Sequence, residues 1–89
     1  MNDNPTFQGA VLKEQGVTFA VVRVNPDVFV GADVEVIRES FAALFRGLPV
    51  ILMARDRQGR ATFHGRRDIA RFLSTVRSGA IDWIDFRLS

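Results

Sequence analysis

Two short apolar runs predict the strands at the centre of a β-sheet. Residues 17–24 read VTFAVVRV, are rich in β-branched side chains and end at Asn25-Pro26, a pattern typical of a buried strand. Val50–Arg55 reads VILMAR and is apolar up to its final arginine. Because alternate strand residues face opposite sides, both runs are apolar on both faces, and such strands need cover on both faces.

Helical spacing of apolar residues predicts two helices. The first begins after Asp33, a candidate N-cap, and ends at Gly47. The second opens at Gly65, has Asp68 placed to cap its first turn, and ends at Gly79. The predicted buried faces consist of Val34, Ile37, Phe41, Leu44 and Phe45 in the first helix, and of Ile69, Phe72, Leu73 and Val76 in the second.

Three weaker patterns complete the predicted sheet. Residues 7–13 are β-like, residues 60–64 return from a hairpin turn at 56–59, and residues 81–88 mix polar with apolar side chains as edge strands do. The order is β-α-β-β-α-β with one further strand before it, which is the ferredoxin-like split βαβ order. We therefore predict an α+β fold, a mixed sheet of four to five strands with two helices, in one domain over residues 1–89 with residues 1–6 loose.

The need for cover on both sheet faces leaves three arrangements open, because the ferredoxin-like order places both helices on one face. The helices lie on opposite faces in thioredoxin-like layers, the N-terminal segment folds over the open face, or a second subunit covers it. A chain of 89 residues buries a small core, which favours a homodimer or a protein partner. The predicted interface residues are Phe19, Val21, Ile51, Met53 and Trp83.

Composition narrows the chemistry. The chain has no cysteine, which excludes disulfides and thiolate zinc sites and favours a reducing cytoplasm. No apolar run approaches the length of a membrane span, so no membrane association is predicted. His64 is the single histidine, and neither a nucleophile motif nor a repeated metal-ligand spacing is present. The sequence predicts no enzyme, metal, cofactor or small-molecule substrate.

Charge is distributed unevenly along the chain. Residues 1–45 hold three basic and six acidic side chains, whereas residues 46–89 hold nine arginines and four acids. Arg66 and Arg67 place two positive charges at a predicted helix start, where the helix dipole favours negative charge. The free backbone N–H groups of that first turn could bind an anion. An ordinary solvated hairpin is the alternative. The candidate anion or nucleic-acid site comprises Arg55, Arg57, Arg60, His64, Arg66, Arg67 and Arg71.

Residues 48–76 resemble the C-terminal strand, hairpin and helix of thioredoxin-like proteins. The resemblance rests on Pro49 before an apolar strand, the turn at Gln58-Gly59, Gly65, and a helix that ends in Phe72-Leu73. It implies architecture and no redox activity, since Cys-x-x-Cys is absent.

The element order also resembles that of RNA-recognition motifs, which stack bases on strand aromatics. Phe19 and Phe63 are the aromatic residues in the corresponding strands. The whole chain resembles a family of short bacterial proteins, which implies no activity. The leading hypothesis is a non-enzymatic interaction module that self-associates or docks on a protein through an apolar sheet face. The alternative is nucleic-acid or anion binding at residues 55–71.

Overall fold

The fold is taken from a computed structural model that describes residues 6–14, 16–31, 33–76 and 81–87. The elements are β1 (Thr6–Glu14), β2 (Val17–Arg23), α1 (Asp27–Val30), α2 (Val34–Ala42), β3 (Val50–Arg55), β4 (Ala61–His64), α3 (Arg67–Ser74) and β5 (Ile84–Arg87). Gly79, the predicted end of the second helix, and the predicted loose start over residues 1–5 lie outside the described residues, whereas Thr6 already belongs to β1. α3 ends at Ser74, so Val76, predicted on its buried face, lies beyond the helix.

The five strands form one mixed sheet in the order β4-β3-β2-β1-β5. β2 and β3 are parallel, and every other neighbouring pair is antiparallel. The predicted α+β class, the mixed sheet and the edge position of the last strand are confirmed. The spatial order of a split βαβ sheet is not observed, because that order places another strand between the two that flank the helix, whereas here β2 and β3 are direct neighbours.

The helices cover opposite faces of the sheet, which corrects the expectation that both lie on one face. On one face, α3 places Ile69 and Leu73 against side chains of β2 and β3. On the other, α1 and α2 cover Ala20, Val22 and Leu52. The need for cover on both faces is thus met within the chain, by the layered alternative.

The passage from β4 into α3 depends on a glycine. Gly65 has φ +153°, a conformation that residues with a side chain rarely adopt. A Cβ atom there would lie 2.5 Å from Cδ1 of Ile51 and 3.0 Å from the carbonyl oxygen of Val50. The backbone therefore approaches β3 more closely than any larger residue would permit.

Local details differ from the predictions at several elements. α2 ends at Ala42 rather than Gly47, so Leu44 falls in the following turns and is 51% exposed. The predicted connection after Pro26 contains α1. Asp33 occupies the N-cap position of α2 without a capping hydrogen bond from its side chain.

Candidate interaction surface

The predicted interface residues are buried in this fold. Phe19 is 2% exposed, and Val21, Ile51 and Met53 are fully buried beneath α3. Trp83 is half-buried and packs against the same cluster. The central sheet face is therefore not available to a partner, because α3 already occupies it. An apolar surface for docking must lie elsewhere.

Exposed apolar side chains remain where β1 and β5 meet. Val11 on β1 is 49% exposed and Ile84 on β5 is 56% exposed. Ile84 pairs with Gly9, so it shares a sheet face with Gly9 and with Val11 two residues further along β1. Diagonal neighbours of this kind lie about 7–8 Å apart. The two side chains form an apolar patch on the sheet face that carries α1 and α2, and both remain about half exposed there.

A cluster of phenylalanines fixes β5 in its position at the edge. The ring of Phe86 stacks on Phe7, with centroids 5.2 Å apart and planes 12° apart, and Phe45 meets Phe86 edge-on at 5.4 Å. Phe41 meets Phe7 edge-on at 5.0 Å. A Cβ atom on Gly9 would lie 3.2 Å from Cε2 of Phe86, so glycine leaves room for the ring. A strand of four residues is thereby tied to β1 and to the turns that follow α2.

The other face of β5 carries two charges of opposite sign. Asp85 and Arg87 pair with Gln8 and Thr6 of β1, so both lie on the face opposite Phe86. Both are exposed. Neither forms a hydrogen bond or ion pair through its side chain with any other residue that the structure describes. We call Val11, Ile84, Asp85, Phe86 and Arg87, together with the outer backbone edge of β5, the β5 surface.

Three of the predicted anion-binding arginines have partners within the chain. Arg66 holds Asp68 with two hydrogen bonds of 2.9 Å, which lower the pKa of that carboxyl. Arg60 contacts Asp56 at 3.2 Å, and Arg55 donates to the carbonyl of Gly59 at 3.2 Å. An anion at the start of α3 would have to compete with the carboxylate of Asp68.

The remaining predicted arginines are without such contacts. Arg57 in the hairpin, and Arg67 and Arg71 on α3, are exposed and form no side-chain hydrogen bond or ion pair within the described part of the chain. They are the members of the predicted site that remain able to bind an anion without displacing a neighbour.

His64 does not join the arginines. It lies on the α2 face of β4, where its Nε2 is 3.0 Å from Oε1 of Glu35 at the start of α2. Arg38 donates to the two oxygens of the same carboxylate at 2.8 and 2.7 Å and to the carbonyl of Val50 at 3.4 Å. The hydrogen bonds from Arg38 and then from His64 lower the pKa of Glu35 to about 2. This cluster ties α2 to β3 and β4.

Spacing along α2 makes the pair of Glu35 and Arg38 detectable in the sequence, because residues three apart on a helix are neighbours. The contact with His64 joins residues 29 positions apart and has no local signal. No nucleophile forms a hydrogen bond with His64 among the described residues.

Other binding features are few. A pocket of about 110 Å³ lies between β2 and α3, lined by Glu14, Val17, Phe19, Asp68, Ile69 and Phe72. It is smaller than the roughly 300–1,000 Å³ of typical small-molecule sites. Over the described ranges, no three potential ligands are grouped as a metal requires, and no helix is long and apolar enough to span a membrane.

Comparisons of the chain with protein-family models, with curated proteins and with solved structures found no match.

Proposed function

We propose that this protein is a small non-enzymatic interaction module that binds a protein partner through the β5 surface. The observation that carries the proposal is the exposure of Val11 and Ile84, about half of each side chain, side by side on one sheet face. Single exposed apolar residues are common on protein surfaces, whereas exposed apolar residues that lie next to one another, here beside an aromatic cluster, indicate a contact surface.

The backbone of β5 supports the same location. As the last strand in the sheet order, it has one neighbour among the described strands, β1. An edge strand presents unpaired N–H and C=O groups along its outer side, and partners often add a strand there. The phenylalanine cluster holds this edge in place, so that the ordering cost of binding is small.

A photoreactive benzophenone side chain at position 84 or 11 tests the proposal in cells. Val36 on α2 serves as the matched control, because this valine is 59% exposed and lies outside the β5 surface. We expect covalent adducts with protein from positions 84 and 11 and none from position 36. Equal labelling from all three positions, or none from any, would contradict a specific docking surface.

A second candidate function, nucleic-acid binding, is supported by the unpaired Arg57, Arg67 and Arg71. Binding through phosphates weakens steeply as salt rises. The slope of log affinity against log salt concentration becomes steeper by about one unit for each phosphate contact. The double variant Arg67→Glu, Arg71→Glu should then lower both the affinity for a labelled single-stranded RNA and the salt slope. The double variant Lys13→Glu, Arg23→Glu, at exposed positions of β1 and β2, is the charge-matched control. An unchanged affinity in the double variant excludes this candidate.

Two further expectations belong to the proposal. The absence of cysteine supports a reducing compartment such as the cytoplasm. The thioredoxin-like resemblance of residues 48–76 is retained for architecture alone, since helices on both sheet faces are compatible with it.

A further inference from the structure

We infer that the partner at the β5 surface is a second copy of this chain, with the two β5 strands paired antiparallel about a two-fold axis that passes by Phe86. The inference rests on the proposed function and names its partner. A two-fold interface uses the same patch on both subunits, so the patch must be complementary to itself. The sequence Ile84-Asp85-Phe86-Arg87 meets that requirement in one register.

The charges of β5 select this register. Directly opposed residues of an antiparallel pair have side chains on the same face of the sheet. A two-fold axis between two copies of β5 leaves each side chain on its own face, so one residue on the axis must pair with the same residue of the other copy. An axis at Asp85 opposes two carboxylates, and an axis at Arg87 opposes two guanidinium groups, both of which are unfavourable. An axis at Ile84 brings no like charges together, but it places Asp85 opposite Trp83 and Arg87 opposite Ile81, so that neither charge gains a partner of opposite sign.

An axis at Phe86 instead places Asp85 of each copy opposite Arg87 of the other. Cβ atoms of directly opposed residues lie about 4.5–5.5 Å apart, within reach of an ion pair. Both side chains lack a hydrogen-bond or ion-pair partner within the described part of the chain.

The apolar face agrees with the same axis. Phe86 of each copy lies opposite Phe86 of the other, and each ring is already supported by Phe7 and Phe45. The two apolar surfaces formed by Val11 and Ile84 then lie on one face of a continuous ten-stranded sheet. Because β5 has four residues, the interface is small and belongs to the weakly binding class. Association is therefore to be measured from low micromolar to near-millimolar protein.

Charge exchange within β5 provides the test, read by sedimentation equilibrium. Wild-type protein of 10.0 kDa is expected to form a dimer with rising concentration. In Asp85→Arg two attractive pairs become repulsive, as they do in Arg87→Asp, so each variant should dimerise about tenfold or more weakly. Mixing the two variants restores both pairs between unlike chains, and we expect a heterodimer. The double variant Asp85→Arg, Arg87→Asp should again form a homodimer.

Two exposed residues outside β5 serve as controls. Glu39→Arg on α2 and Arg71→Asp on α3 make the same changes of charge and should leave dimerisation unaltered. Since Asp85 and Arg87 have no partners among the described residues of their own chain, circular dichroism is expected to show native folding in every variant.

A wild-type protein that stays monomeric to near-millimolar concentration overturns the inference, as does a mixture of the single variants that shows no heterodimer. Retained dimerisation in both single variants also overturns it, because the dimer would then use another surface. The photoadducts separate this failure from failure of the proposed function. An adduct of position 84 with a different protein leaves the docking surface in place and rejects the second copy, whereas no adduct and no dimer reject both.

Discussion

Replacing Gly65 with alanine tests the close passage between β4 and α3. The wild-type residue has φ +153°, and a side chain in such a backbone conformation costs about 1–3 kcal/mol. The new Cβ atom would also meet the carbonyl oxygen of Val50 at 3.0 Å and Cα of Ile51 at 3.3 Å. These are backbone atoms of a buried strand, so they can move little.

The side chain of Ile51 adds to the cost. Its Cδ1 atom would lie 2.5 Å from the new methyl group, and the residue is fully buried. Forcing this side chain from its rotamer costs about 0.5–1.5 kcal/mol. Together, backbone conformation and crowding predict a loss of about 2–4 kcal/mol. A domain of this size has a free energy of unfolding of about 5–13 kcal/mol, so the loss is a large fraction of the total.

Gly59→Ala is the matched control, because it isolates the backbone contribution. Gly59 also has a positive φ, +81°, but a Cβ atom there would have no other group within 4 Å. Urea unfolding, followed by the fluorescence of Trp83 and by circular dichroism, measures both variants. We expect Gly65→Ala to be the more destabilised by at least about 1 kcal/mol. Equal destabilisation would refute the close approach to β3.

Two further variants test the packing and the charged cluster. Leu73→Ala removes a fully buried side chain of α3 and should lower the free energy of unfolding by about 2–5 kcal/mol. Arg71→Ala, at an exposed position of the same helix, is the control. If Leu73→Ala costs no more than this control, α3 does not cover the sheet. Because the folded pKa of Glu35 is about 2 against an ordinary 4.5, its stabilising effect is complete above pH 4.5 and is lost as the pH falls towards 2. Glu35→Gln should therefore cost up to about 1 kcal/mol at pH 7 and much less at pH 2 by urea unfolding. A cost that does not depend on pH would contradict the ion pair with Arg38 and the hydrogen bond with His64.

The central strands could be predicted because their evidence is local. The apolar run Val50–Arg55 coincides with β3, and the run over residues 17–24 exceeds β2 by one residue. The requirement for cover on both faces follows from alternation alone and is confirmed. Which helix covers which face depends on the pairing of β2 with β3, which joins residues about 30 positions apart and has no local signature.

The pair Asn25-Pro26, which predicts the end of a strand, also precedes the short helix α1. Proline is compatible with a helix start, and Pro26 has φ −53° there, while Oδ1 of Asn25 accepts a hydrogen bond from the backbone N–H of Asp27 at 3.0 Å. For the interface, apolar character in the sequence selected residues that the structure buries. Burial by α3 removes Phe19 and Met53 from the surface, and sheet order makes the mixed polar strand β5 the exposed one.

Amide hydrogen exchange at two protein concentrations tests the central claim, association through β5, most directly. We predict that near-millimolar protein, relative to low micromolar protein, protects those backbone amides of Ile84–Arg87 that point away from β1. The amides of β4, the opposite edge of the sheet, should exchange equally at both concentrations, and Asp85→Arg should remove the protection of β5. Exchange of β5 that does not depend on concentration, or protection that appears at β4 instead, would contradict the account.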